Sequence, residues 1–544
     1  MIKRLLYIQS ILLLLFLSNS VVAQNEFSRL DSLRGSITPE REWWDLSYYH
    51  LDISVEPDKK YLSGSVTIQY KVLSEFQKMQ IDLQEPLRVT RIVQKGKELS
   101  FRKFGPVHSV ELKQKQKIGA INEVIVYYDG FPKEARMAPW DGGLSWKKDK
   151  NGNDFVATSC QGLGASIWWP CKDHMYDEVD SMLISVEVPE HLIDVSNGRL
   201  RAIDENKERK TKTYHWYVAN PINNYGVNIN IGDYIHWNEK YEGEKGELDL
   251  DYWVLSYNED AAREQFKQGR KTIEAFEHWF GPYPFYEDGY KLVEVPYLGM
   301  EHQSSVTYGN KFKNGYLGKD HSYTGWGLMF DYIIIHESGH EWFANNITYK
   351  DEADMWIHES FTTYSESLYL DYWIGKEASE EYNRGLRRGI GNNGTMIGPY
   401  DVNRSGSDVY DKGATLLGMI RQIINDDEKW RMILRGLGEE FYHQTVKTAQ
   451  IENYISDRSG IDFSSIFDQY LRTTQIPILE YYFSKELFYY RWTGVVDDFS
   501  MPVDINIADE AFRITPLSKW QSLTVKGDEL NIQLNYYISS MKLQ

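Results

Sequence analysis

Residues 336–340 read His-Glu-Ser-Gly-His, and eighteen residues separate His340 from Glu359. On a helix, positions four apart share a face, so His336 and His340 present two imidazoles side by side. Two neutral nitrogens and one carboxylate make a three-ligand site for a single Zn²⁺, with the fourth position left to water. Glu337 then stands beside the first ligand, where it can take a proton from that water. The spacing therefore demands two helices that bring His336, His340 and Glu359 together, which constrains the fold more than any other stretch of the chain.

The flanks agree with buried helices. Trp326 to Ile335 is apolar nearly all round, as in a helix that runs through a core. Downstream, Ile357, Phe361, Tyr364, Leu368 and Tyr372 recur at helical spacing and define a buried stripe. Glu359 lies off that stripe, near the connection between the helices. Glu366 lies two turns further along the same face, too far to share the ion, so only one of the two carboxylates can be the ligand, and Glu359 is better placed. His358, one helical position away, points off the metal face.

The chain has 544 residues, too many for one core. Residues 1–23 read as a secretory signal: Lys3 and Arg4, an apolar run from Leu5 to Leu17, and Val21-Val22-Ala23 before Gln24. An uncleaved anchor is the alternative. No later segment is long and apolar enough to span a membrane, so no stable insertion is expected once the signal is removed. The formal charge is −19, and −21 without Lys3 and Arg4. That argues against nucleic acid as a partner and fits an exported protein, periplasmic or extracellular. Cys160 and Cys171 have no zinc-ligand spacing; unpaired buried thiols are the preferred reading, with a disulfide left open.

From Trp43 to Trp237 short alternating runs such as Tyr49–Val55, Gly64–Tyr70 and Val124–Tyr128 predict an all-β domain, sheet on sheet. Glu259 to Phe280 predicts a helix closed by Gly281-Pro282. Helices continue to about Gln475, and short strands return from Ile476, with Leu487–Tyr490 and Leu530–Tyr537 as examples. The domains expected are a signal at 1–23, an N-terminal all-β domain at 24–237, a catalytic domain at 238–475 and a small β domain at 476–544. Lys291 to Pro296 alternates and ends in proline, which predicts an edge strand able to pair with a peptide.

That strand leads into Gly299-Met300-Glu301-His302, and here the chain resembles the zinc aminopeptidases of the aminopeptidase N type, in the gluzincin group. The resemblance rests on Met300-Glu301 thirty-five residues before His336, on Trp342-Phe343 after the second histidine, on Trp356 and Glu359, and on Tyr410-Asp411-Lys412-Gly413. Cys160-Gln161 and Pro170-Cys171-Lys172-Asp173 resemble the N-domain segment that reaches the active site. The similarity runs from about residue 43 to 475.

The resemblance implies a multidomain α+β protein: an N-terminal β-sandwich, a thermolysin-like, mainly helical catalytic domain, and a small C-terminal β-sandwich. It implies one Zn²⁺ per chain held by His336, His340 and Glu359. Glu337 is then general base, and Tyr410 donates its phenol to the tetrahedral oxyanion. Glu301 receives the free α-ammonium of a peptide, Gln161 helps hold that end, and Gly299 and Met300 line the substrate. Tyr410 could also be packing alone, since Asp408 and Asp411 bracket the start of a helix that continues through Leu416, Leu417 and Ile420. Two positions depart from the family: Leu298 stands for its first glycine and His302 for its asparagine, changes that bear on substrate preference. The long helical C-terminal domain of many relatives is missing, which is expected to open the cleft to longer peptides. A thermolysin-like endopeptidase, the epoxide-hydrolysing branch of the family and a non-catalytic peptide-binding protein remain as alternatives.

Overall fold

The computed structural model describes residues 27–544, so the signal expected at 1–23 lies outside the described residues. Two short helices, Arg29–Gly35 and Pro39–Glu42, precede the first strand. Alternation then takes over. In Trp44–Glu56, Tyr49, Leu51, Ile53 and Val55 are buried while Asp52 faces solvent. This strand pairs antiparallel with Tyr61–Val72, whose Leu62, Val66, Ile68 and Tyr70 are equally buried. The period of two puts all eight side chains on one face. They belong to an eight-stranded sheet that shares one apolar core with a four-stranded sheet. Within the smaller sheet, Asp154–Ser159 is buried at every position, and the turn after it carries Cys160 and Gln161 toward the next domain. Cys160 and Cys171 are both free and buried.

The next sheet has five strands, in the order Tyr234–Gly243, Gly246–Leu255, Tyr290–Glu294, Val306–Tyr308, Gly299–Met300. The first of them runs across residue 237 without a break. The strand expected at the edge, Lys291–Pro296, is a correction: Tyr290–Glu294 lies in the middle, paired parallel on both sides. Pro296 falls beyond the end of the strand, so its missing N–H costs the ladder nothing. The edge belongs instead to Gly299–Met300, antiparallel to Val306–Tyr308.

Helices pack on this sheet. The helix expected over Glu259–Phe280 is two, Glu259–Gln265 and Lys267–Phe280, and Gly281 ends the second with φ +90°. The helix expected from Trp326 begins only at Tyr332; Trp326–Leu328 is a single 3₁₀ turn. Asp331 sets the start, its Oδ1 accepting from the N–H groups of Ile333 (3.1 Å) and Ile334 (3.4 Å). The helix carrying Glu359 is Trp356–Trp373, buried from Trp356 through Leu370.

Past Arg472, a four-stranded and a three-stranded sheet form the C-terminal sandwich. Of Leu530–Tyr537 only Leu530–Ile532 is strand. Arg384 Nη1 donates to Asn535 Oδ1 at 2.6 Å and Arg387 to the Leu534 carbonyl at 2.7 Å, which ties the sandwich to the catalytic helices. Among the described residues, no helix is long and apolar enough to cross a membrane.

Candidate metal centre and substrate cleft

The motif helix and the Glu359 helix bring their three ligand candidates together. Glu359 Oε2 lies 3.7 Å from His336 Nε2 and 3.4 Å from His340 Nε2. Ligands about 2.1 Å from a tetrahedral zinc stand roughly 3.4 Å apart. The far side of each ring is already engaged. His336 Nδ1 meets Glu366 Oε1 at 2.7 Å, and His340 Nδ1 meets the Phe343 carbonyl at 3.0 Å and Thr362 Oγ1 at 3.1 Å. Both Nε2 atoms are therefore directed at one point, together with Glu359 Oε2, which is buried without a hydrogen-bond partner. A carboxylate oxygen left this way is costly unless a cation meets it. The donor set, two imidazoles and a carboxylate, fits a divalent transition metal.

Glu366, weighed in sequence only as a rival ligand, instead holds the first imidazole from behind. Tyr382 donates to its other oxygen at 2.5 Å. Outer carboxylates of this kind fix the tautomer and raise the basicity of the ligand. His358 is turned away: it accepts the Tyr349 N–H at 2.8 Å and stacks on that ring at 4.0 Å.

Glu337 is buried at the cleft wall. Burial raises its carboxyl to about 7, with His336 opposing the rise and Glu301 adding to it; a divalent cation would draw it down again. Gly299 forms the wall behind it: a Cβ there would meet Ile333 Cγ2 at 2.5 Å, the Thr307 carbonyl at 2.9 Å and Glu337 Cγ at 3.4 Å. Met300 follows on the same edge strand, and both line the cleft.

Glu301 is 2% exposed, and its Oε1 has no partner. Burial pushes its carboxyl up, opposed by His340. Its loop is held by the residues just after the second histidine. Glu341 accepts the Ser304 N–H at 3.0 Å, and Asn345 Nδ2 donates to the Glu301 carbonyl at 3.0 Å. No sequence signal pointed to Glu341 or Asn345.

Gln161 arrives from the N-terminal domain and donates to Glu359 Oε1 at 2.9 Å, so it grips a ligand candidate as well as lining the cleft. Tyr410 stands at the start of the helix Asp411–Ile424, its ring 6.2 Å from that of His336. It is 43% exposed to the open cleft. Desolvation within the cleft first, then Glu359 and Glu301, keep its phenol well above the ordinary range, so it stays a neutral donor. Of the two departures, Leu298 lines the cleft, whereas His302 is fully buried behind it, its Nδ1 3.3 Å from Thr307 Oγ1.

Residues 264–470, which hold the trio, Glu337, Glu301 and Tyr410, match the Peptidase family M1 domain. Residues 264–470 thus carry the M1 peptidase domain. The M1 resemblance extends beyond that domain. Leucyl aminopeptidase of Saccharolobus solfataricus is 22% identical over 72% of this chain and 49% of its own length. Tricorn protease-interacting factor F2 of Thermoplasma acidophilum is 24% identical over 62% of this chain and 43% of its own. Leukotriene A-4 hydrolase of Xenopus laevis is 21% identical over 77% of this chain and 68% of its own. The chain thus spans about half the length of the archaeal relatives it matches. The crystal structure of the M1 zinc metallopeptidase from Deinococcus radiodurans superposes with a TM-score of 0.64 at 18% identity, over 77% of this chain and 91% of that one, which places the two in one fold.

Proposed function

We propose that this protein is an exported zinc-dependent aminopeptidase that removes the N-terminal residue of peptides. The observation that carries the reading is Glu301, a buried carboxylate with an unpartnered oxygen in the same cleft as His336, His340 and Glu359. A free α-ammonium satisfies it. An internal peptide segment brings no cation and would leave it stranded, which selects chain termini.

His336, His340 and Glu359 would hold the Zn²⁺, which when bound supplies Lewis acidity and a water acidic enough to ionise near neutral pH. Glu337 takes the proton from the attacking water at its carboxylate and passes it to the leaving amine. The Tyr410 phenol donates to the oxyanion that develops on the first carbonyl. The Gly299–Met300 edge borders the cleft and offers an extended peptide a strand to lie against. The aminopeptidase name of the archaeal relative, and a variant of the Deinococcus metallopeptidase solved with a Tyr-Ser-Ala substrate, support peptide termini as the substrate.

Hydrolysis of leucine p-nitroanilide and of its N-acetyl form, each with and without a chelator, tests the reading. Turnover confined to the free amine and abolished by chelation is expected; equal turnover of the acetylated form rejects it. Export rests on residues 1–23, and a mature protein recovered outside the cytoplasm that begins at Gln24 is the expected outcome.

A further inference from the structure

One acidic side chain in the cleft has no part in that chemistry. Glu352 opens the 3₁₀ turn Glu352–Asp354, just before the Glu359 helix. The turn is fixed by Asp351, whose Oδ1 accepts the Ala353 N–H at 2.9 Å. Tyr349, held in place by His358, donates its hydroxyl to Glu352 Oε2 at 2.7 Å. Glu352 is 9% exposed, and it lines the cleft that holds His336, Glu337 and Glu359.

Its other oxygen has no hydrogen bond among the described residues, and no Lys or Arg nitrogen there comes within 4.0 Å of the carboxylate. Arg34 is near enough to be felt electrostatically, but it donates to the Gly162 carbonyl at 2.7 Å instead. Burial accordingly lifts the Glu352 carboxyl above its ordinary range. A carboxylate pinned this firmly at a cavity wall, with one face unpaired, is built to be met by a positive group from outside.

Resting on the aminopeptidase reading, we infer that Glu352 receives the basic side chain of the substrate's first residue, so that the cleft selects peptides beginning with arginine or lysine. Two separate anionic points then read two separate cations of one residue: Glu301 the α-ammonium and Glu352 the side-chain charge. The cleft has about 330 Å³ of room, enough for such a residue. Met355 and Trp140 on its walls offer apolar surface to an aliphatic stem. The overall charge of −19 draws cationic peptides toward the protein.

Citrulline is the neutral isostere of arginine and isolates the charge. The experiment compares kcat/KM for arginyl and citrullinyl coumarin amides in the parent and in Glu352→Gln, which keeps the volume and the acceptor for Tyr349. Calorimetric binding of argininamide and citrullinamide supplies a readout independent of turnover. A charged hydrogen bond at such a site is worth about 10- to 100-fold. The parent is expected to favour arginine by that ratio in both readouts, and Glu352→Gln to bring it to about one. Robust turnover with a parent ratio near one overturns this inference and leaves the aminopeptidase reading intact. Absence of turnover on every amide defeats that reading, and the calorimetric ratio then decides Glu352 by itself.

Discussion

Replacing Glu366 tests whether the first imidazole is held from behind as the structure shows. Its two oxygens meet His336 Nδ1 at 2.7 Å and the Tyr382 hydroxyl at 2.5 Å, and all three side chains are buried. Glu366→Ala strands both of those groups, and each stranded buried polar group costs about 1–3 kcal/mol. It also frees the His336 ring to rotate and lowers its basicity, a change that typically weakens metal binding about 10- to 100-fold. Glu366→Gln keeps the shape and a hydrogen bond but removes the charge, so it is placed at the lower end of that range. Adding Tyr382→Phe to Glu366→Ala removes one orphaned hydroxyl, so it recovers part of the melting temperature without recovering zinc affinity. Competition for zinc against a fluorescent chelator, paired with thermal melts, separates the two effects. Zinc affinities within about threefold of the parent in all three variants would refute the account of Glu366.

Three further outcomes follow from particular contacts. Gly299→Ala drives a methyl into Ile333 and the Thr307 carbonyl behind Glu337; a fall in kcat/KM with zinc affinity retained is expected, and parent-like kinetics would contradict the close wall. Tyr410→Phe removes a donor to the oxyanion and should lower kcat by about 10²–10³ with little change in inhibitor binding, as steady-state kinetics and calorimetry will show. Lys291 is buried and donates to the Gly198 carbonyl, and burial pushes its ammonium down to about 8. Between that value and its unfolded value near 10.5 the unfolded chain binds the extra proton. Its contribution to stability is therefore present above that upper value and is lost as pH falls through about 8, by at most about 3 kcal/mol. The stability difference between the parent and Lys291→Met should move in the parent's favour from pH 8 to 10, and a pH-independent difference sinks the claim.

What could be read in the residues depended on range. The metal trio was legible because i,i+4 geometry is local and because the stripe Ile357–Tyr372 fixed which face of the second helix is buried. Glu301 became legible only through the resemblance; nothing local distinguishes it from a loop carboxylate. The strand 290–294 was misread as an edge because a trailing proline looks the same beside a central strand as beside an outer one; pairing with Val306–Tyr308 decides, and that is tertiary. The helix before His336 was started too early because apolar residues continue upstream, whereas Asp331 dictates the start by capping. Glu366 was rightly set aside as a ligand but given no other role: the distance along the helix that excludes it from the ion is what lets it reach the opposite nitrogen of His336. Gln161 touching Glu359 across 198 residues of sequence is a contact no local pattern carries.

The central claim is that one divalent cation sits between His336, His340 and Glu359. A second trio, Glu301, Glu337 and His340, also brings ligand atoms within 4.8 Å of one another. Anomalous diffraction at the zinc edge from crystals grown with zinc separates the two. The account predicts one strong peak about 2.0–2.2 Å from His336 Nε2, His340 Nε2 and Glu359 Oε2. A peak among Glu301, Glu337 and His340 instead, or no peak in the cleft, would contradict it.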